Sequence, residues 1–129
     1  MTSNADTISN LYAAFAKGDV PTVLGAFAPD IQWIEADGFP YAGTYVGPDA
    51  ILTGVFMRLA TEWDGFAVEF GQVIGSGETV VSIGHISGSY KATGKYFKAP
   101  TVHVWHFRDG KIAGFQEYTD TVLVQRALS

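Results

Sequence analysis

Residues 99–124 read APTVHVWHFRDGKIAGFQEYTDTVLV. Two runs of alternating residues meet there at Arg108-Asp109-Gly110. Asp-Gly between such runs is a strong short-range hairpin signal, because the tightest hairpin turn needs two residues with positive φ. Thr101, His103, Trp105 and Phe107 then share one face of the first strand, and Val102, Val104 and His106 share the other. On the second strand Phe115, Glu117 and Thr119 alternate with Tyr118. A histidine and a glutamate therefore lie among aromatic residues.

Upstream of this hairpin the same period of two recurs. FAVEFGQVIG is bounded by Asp64-Gly65 and Gly75, and ETVVSIGHISGSYKA ends before the turn at Thr93-Gly94. A shorter apolar run, Ile31 to Ile34, ends on Glu35 after the expected turn at Pro29-Asp30. The remaining segments follow a helical period. DTISNLYAAFAKGDV carries Ile8, Leu11, Tyr12 and Phe15 on one face, with Thr7 or Asp6 as cap and Gly18 as stop. DVPTVLGAFAPD reads as a short helix capped by Asp19, with Val23, Leu24 and Phe27 on its apolar face and Pro29 as its end. A turn-rich loop, ADGFPYAGTYVGPDA, leads to a third helix from about Pro48, whose stripe is Ile51, Leu52, Val55, Phe56 and Leu59. Gly54 weakens this helix without breaking it. Helices come first and an antiparallel meander last, the order of an α+β domain with helices on one face of a curved sheet. Such a sheet encloses a cone whose open end suits a small molecule.

Bulk properties narrow the function. A chain of 129 residues, 47% hydrophobic and 14% aromatic, supports one domain, residues 1–129, with a sizeable core. The net charge of −5 and the lack of any Lys/Arg run argue against nucleic-acid or anionic-membrane partners. With no cysteine there is no disulfide, thiol nucleophile or cysteine-based zinc site. The three histidines lack the spacing of a metal motif, so no metal is expected. MTSNADTISN has no basic segment followed by an apolar run, and no stretch approaches the ~20 apolar residues of a membrane span. A cytoplasmic protein is expected.

YAAFAKGDV, FAPDIQW, YAGTYVGPDAI and VWHFRDGKIAGFQEYTD together resemble the SnoaL-like and ketosteroid isomerase-like families of the nuclear transport factor 2-like superfamily. The resemblance covers roughly residues 5–125. It implies a cone-shaped, strongly curved, mostly antiparallel sheet with three N-terminal helices packed on its concave face. It also implies a homodimer formed through the outer face of the sheet, where Val102 and Val104 lie. By spacing, the family's base falls on Glu35, its oxyanion-binding aspartate on His103, and its helix tyrosine on Leu11, with Tyr12 adjacent. The oxyanion pair of the steroid isomerases is thus not preserved. The Arg-x-Asp pair of the superfamily's epoxide hydrolases is missing from GHISGSY, and their second aspartate corresponds to Glu117.

Residue chemistry and resemblance together nominate Glu35, His103 and Glu117 as catalytic candidates. Ile31, Trp33 and Glu35 share a face, so Glu35 is read either as a solvated strand end or as a carboxylate in an aromatic pocket. In the pocket it would remove a proton beside a carbonyl. A neutral His103 would donate to the enolate oxygen, and Glu117 would orient His103 or return the proton. Trp33, Phe56, Trp105 and Phe115 would line the cavity, and Tyr41 or Tyr45 would add a hydroxyl at its mouth. Asp37 is read as solvated, His85 and Asp120 as structural, and His106 as lying on the back of the sheet. The expected partner is a small apolar, carbonyl-bearing ligand, and this chemistry needs no cofactor. The alternatives are a non-catalytic binding module on the same fold and an interaction subunit that pairs through its sheet.

Overall fold

The computed structural model describes residues 3–129. Met1 and Thr2, the start of the stretch read above for a signal sequence, lie outside them. Helix α1, Asn4–Ala16, opens with a reciprocal cap. Ser3 Oγ accepts from the Asp6 N–H at 3.1 Å and the Asp6 carboxylate accepts from the Ser3 N–H at 3.4 Å. The cap is therefore Ser3, not Thr7 or Asp6: Asp6 answers it from the third helical position. Helix α2, Val20–Gly25, has Asp19 as cap and Pro21 in its first turn, as the sequence predicts. It stops four residues short of Pro29, and Phe27 belongs to the next element.

That element is strand β1, Phe27–Glu35. Pro29 and Asp30, read as a turn, sit inside it where the register against its neighbour shifts between Phe27 and Gln32. A proline lacks the ladder N–H, and a register break is where a strand tolerates it. Strand β2, Gly43–Val46, lies in the segment expected to be a loop: four residues are too short for a period of two to show. Helix α3 spans residues 48–62, with α-helical ends, Pro48–Ile51 and Met57–Glu62, and a π turn at Leu52–Phe56. Strands β3 (Trp63–Ser76), β4 (Thr79–Tyr90), β5 (Tyr96–Arg108) and β6 (Lys111–Thr119) follow, and the chain closes with helix α4, Thr121–Leu128.

The six strands form one curved, open sheet in the order β2-β1-β6-β5-β4-β3. All neighbours are antiparallel except β1 and β6. The β5–β6 turn holds Asp109 at φ 51° and Gly110 at φ 76°, the positive-φ pair that Asp-Gly signalled. The helices α1 and α3 cover one face of the sheet, as expected. The described residues contain four helices rather than three. Val124 and Ala127 of α4 are buried, and α4 packs on β5. Inward residues alternate cleanly along β5: Thr101, His103, Trp105 and Phe107 are buried, while Val102 and Val104 are half-buried and His106 is exposed. Asp37, read as solvated, is exposed in the turn after β1. His85 is also exposed, on the outer face of β4, so it is not part of the core.

Candidate functional site

Between α1, α3 and the sheet lies an apolar cavity of about 50 Å³. Trp33, Phe56, Trp105 and Phe115 all line it, joined by Tyr12, Phe15, Phe39 and Phe66. The rings hold one another in place. Trp33 stacks on Phe115 with centroids 3.7 Å apart, and Phe56 meets Trp33 edge-on at 5.5 Å. Such packing leaves the walls few rotamers. The volume suits a few water molecules or a small fragment. Phe15, Phe56, Leu59 and Phe66 separate this space from a more open hollow of about 300 Å³ bordered by Gly18, Val20, Ala60 and Trp63.

Polar groups enter the cavity from three strands. Glu35 ends β1, and His103 and Glu117 are paired across β5 and β6. All three line the cavity and are about 95% buried, with relative exposures of 4%, 6% and 5%. Glu35 Oε1 accepts from Trp33 Nε1 at 3.0 Å, and Glu117 Oε1 accepts from the Ala36 N–H at 3.1 Å. Their strands run parallel with Ile34 opposite Gln116, which puts the two carboxyl groups side by side. His103 Nδ1 lies 2.9 Å from the Tyr12 hydroxyl, and His103 Nε2 lies 4.0 Å from Glu117 Oε2, beyond a hydrogen bond. Among the described residues, two buried side-chain polar atoms have no partner: Glu35 Oε2 and His103 Nε2.

Burial, then the charge and the close contact of the Glu117 carboxyl, push the Glu35 carboxyl well above the ordinary carboxylate range, against the hydrogen bond from Trp33. Burial pulls the His103 imidazole down to about 3, so the ring is neutral near pH 7. Burial also raises the Tyr12 hydroxyl, against the hydrogen bond it accepts from Trp105. The site thus offers a proton-holding carboxyl, a second carboxyl beside it and a neutral imidazole. No lysine or arginine lines it. Among the described residues, no group of three or more His, Asp or Glu side chains is arranged to hold a metal ion.

Tyr41 and Tyr45 are not brought to this cavity. Tyr41 is buried beside α3, where its hydroxyl donates to Glu62 Oε1 at 2.8 Å and accepts from Trp63 Nε1 at 3.1 Å. Arg58 covers its ring at 4.1 Å. The Tyr45 hydroxyl donates to the Tyr41 carbonyl at 2.7 Å. The Tyr41 hydroxyl ties the loop before β2 to the end of α3, and the Tyr45 hydroxyl ties β2 to that loop. Tyr12 is the polar residue that sequence reasoning did not nominate. Its position in the stripe of α1, one residue after Leu11, was the available signal.

The chain matches the model of the SnoaL-like domain over residues 8–115. No functionally curated protein is significantly similar to it. Among solved structures, an NTF2-like protein of Burkholderia thailandensis is 40% identical, with a TM-score of 0.96 over 100% of this chain and 99% of that one. An NTF2-like protein of unknown function from Burkholderia pseudomallei is 30% identical, with a TM-score of 0.90 over 100% and 99%. TerC, co-crystallised with polyporic acid, is 25% identical, with a TM-score of 0.84 over 95% of each chain. No helix of the described residues is long and apolar enough to cross a membrane.

Proposed function

Because this chain belongs to the SnoaL-like domain family, we propose that it catalyses proton transfer on a small, mostly apolar, carbonyl-bearing molecule. One observation carries the reading. Two buried polar atoms, Glu35 Oε2 and His103 Nε2, are left without partners, and both residues line the same aromatic cavity. An unpaired buried polar group costs roughly 1–3 kcal/mol, and a ligand that pairs both atoms recovers that cost. TerC's co-crystal with polyporic acid supports a small organic ligand in this fold.

In this reading a neutral His103 gives a ring N–H to the carbonyl oxygen and stabilises the charge that gathers there. Glu35, once ionised, removes the neighbouring proton and later returns it. Its raised pKa makes it a stronger base than a solvated carboxylate. Burial sets that basicity first, and the charge of Glu117 adds to it. Trp33, Phe56, Trp105 and Phe115 exclude water, which strengthens each of these interactions. The absence of a lysine or arginine from the lining disfavours anionic ligands. On the outer face, half-buried Val102 and Val104 lie with Ile83, 39% exposed, and Tyr118, 58% exposed, on the surface we assign to homodimer pairing.

Proton exchange in D₂O tests the reaction directly. A panel of ketones and enones is followed by NMR with the wild type and with Glu35→Gln. Loss of the protons next to a carbonyl is expected with the wild type, slowed about 10²- to 10⁴-fold in the variant. Exchange that is indifferent to Glu35 removes it from the mechanism. Tight binding without exchange across the panel replaces the enzyme reading by a binding module.

A further inference from the structure

We propose that Tyr12 is a positioning residue: its hydroxyl donates to His103 Nδ1 and holds the imidazole as the tautomer whose N–H, at Nε2, is turned toward Glu117 and the cavity. The assignment follows from how each donor is used. Trp105 Nε1 can only donate, and it does so to the Tyr12 oxygen at 3.1 Å and to Ser82 Oγ at 3.2 Å. With its oxygen already accepting, the tyrosine's own proton is available to His103 Nδ1, 2.9 Å away. At the other edge of the ring, Nε2 lies 4.0 Å from Glu117 Oε2. A bare lone pair there would face carboxylate oxygen, whereas an N–H there is attracted to it. Both edges of the ring select the same tautomer.

Helix α1 thereby acts on the site without supplying a group that meets the ligand's oxygen. Its tyrosine is occupied by Trp105 and His103, and the imidazole presents a donor rather than an acceptor to whatever fills the cavity. A ligand atom placed there is a hydrogen-bond acceptor such as a carbonyl oxygen. This last step rests on the function proposed above, while the tautomer does not.

The test is ¹⁵N NMR of the full chain labelled at histidine. His103 is told from the exposed His85 and His106 by its loss in His103→Gln. The expected wild-type spectrum at pH 7 shows an unprotonated, hydrogen-bonded Nδ1 and a protonated Nε2. In Tyr12→Phe the Nδ1 resonance moves to the position of a free lone pair. A proton on Nδ1 in the wild type, or an Nδ1 resonance unmoved in Tyr12→Phe, overturns the proposal. Where Tyr12→Phe does not fold, the wild type decides: coupling of a tyrosine hydroxyl proton to His103 Nδ1 supports it, and a protonated Nδ1 overturns it. With a substrate in hand, Tyr12→Phe is expected to lower kcat about tenfold or more at nearly constant KM. A protein that shows the tautomer yet turns nothing over loses the proposed reaction and keeps this role for Tyr12.

Discussion

A carboxyl group at the end of a strand is ordinarily a solvated one. Glu35 is not, because alternation along β1 places it on the same inward face as Ile31 and Trp33. The shared face was legible from residue order, as were those of His103 with Trp105 and of Glu117 with Phe115; that these faces are buried was not. The bonds that decide their chemistry were not legible. Nothing local in the sequence pairs Tyr12 with His103, 91 residues away, or turns the Ala36 N–H toward Glu117. Spacing also could not show that Tyr41 spends its hydroxyl on Glu62. The electrostatics of the pair make a residue-scale prediction. Glu117 raises Glu35 by its charge, so Glu117→Gln lowers the pKa of Glu35. If Glu35 is the base, the ascending limb of kcat/KM against pH moves to lower pH in that variant. ¹³C titration of the Glu35 carboxyl measures the shift directly. A value unchanged between the wild type and Glu117→Gln would show that the charge of Glu117 has no part in setting it.

At the scale of elements, strong periodicity survived and short or irregular pieces did not. The β5–β6 hairpin, α1 and the start and apolar stripe of α3 followed from pattern. Strand β2 escaped because it has four residues, and α4 because Val122, Leu123 and Val124 continue the apolar run of the last strand. The π turn in α3 left only one trace, Gly54. A Cβ built there would lie 2.4 Å from Cε2 of Tyr45, so this glycine is where the tyrosine ring lies against the helix. Gly54→Ala must push that ring away, which breaks its hydroxyl bond to the Tyr41 carbonyl. The expected cost is about 1–3 kcal/mol in urea unfolding, the range of overpacking. Phe56 ends the same π turn and lines the cavity, so ligand affinity should fall along with stability. Adding Tyr45→Ala removes the clash. In that background Gly54→Ala should cost less than about 1 kcal/mol. Equal costs in both backgrounds would place the strain somewhere other than Tyr45.

For the whole molecule, the buried site ties stability to pH through two groups that act in opposite directions. The Glu35 carboxyl is raised from an ordinary 4.5 in the folded chain. Its contribution is fully present below 4.5 and is lost as pH rises through its folded value. The His103 imidazole is lowered from 6.5 to about 3. Its contribution is fully present above 6.5 and is lost as pH falls toward 3. From pH 4.5 up to the folded value of Glu35, and no further than 6.5, the unfolded chain has released the first proton and still holds the second, so the two slopes oppose each other. Each amounts to a little over about 1 kcal/mol per pH unit. Single variants separate them. Glu35→Gln should become more stable as pH rises across this window, because only the His103 slope is left. His103→Gln should become less stable, because only the Glu35 slope is left. Urea midpoints at several pH values, compared as slopes rather than absolute stabilities, read the difference. Parallel pH profiles for the wild type and both variants would mean that neither group titrates differently in the folded chain. The buried carboxyl and imidazole would then lack the perturbed protonation on which acid–base chemistry in this cavity depends.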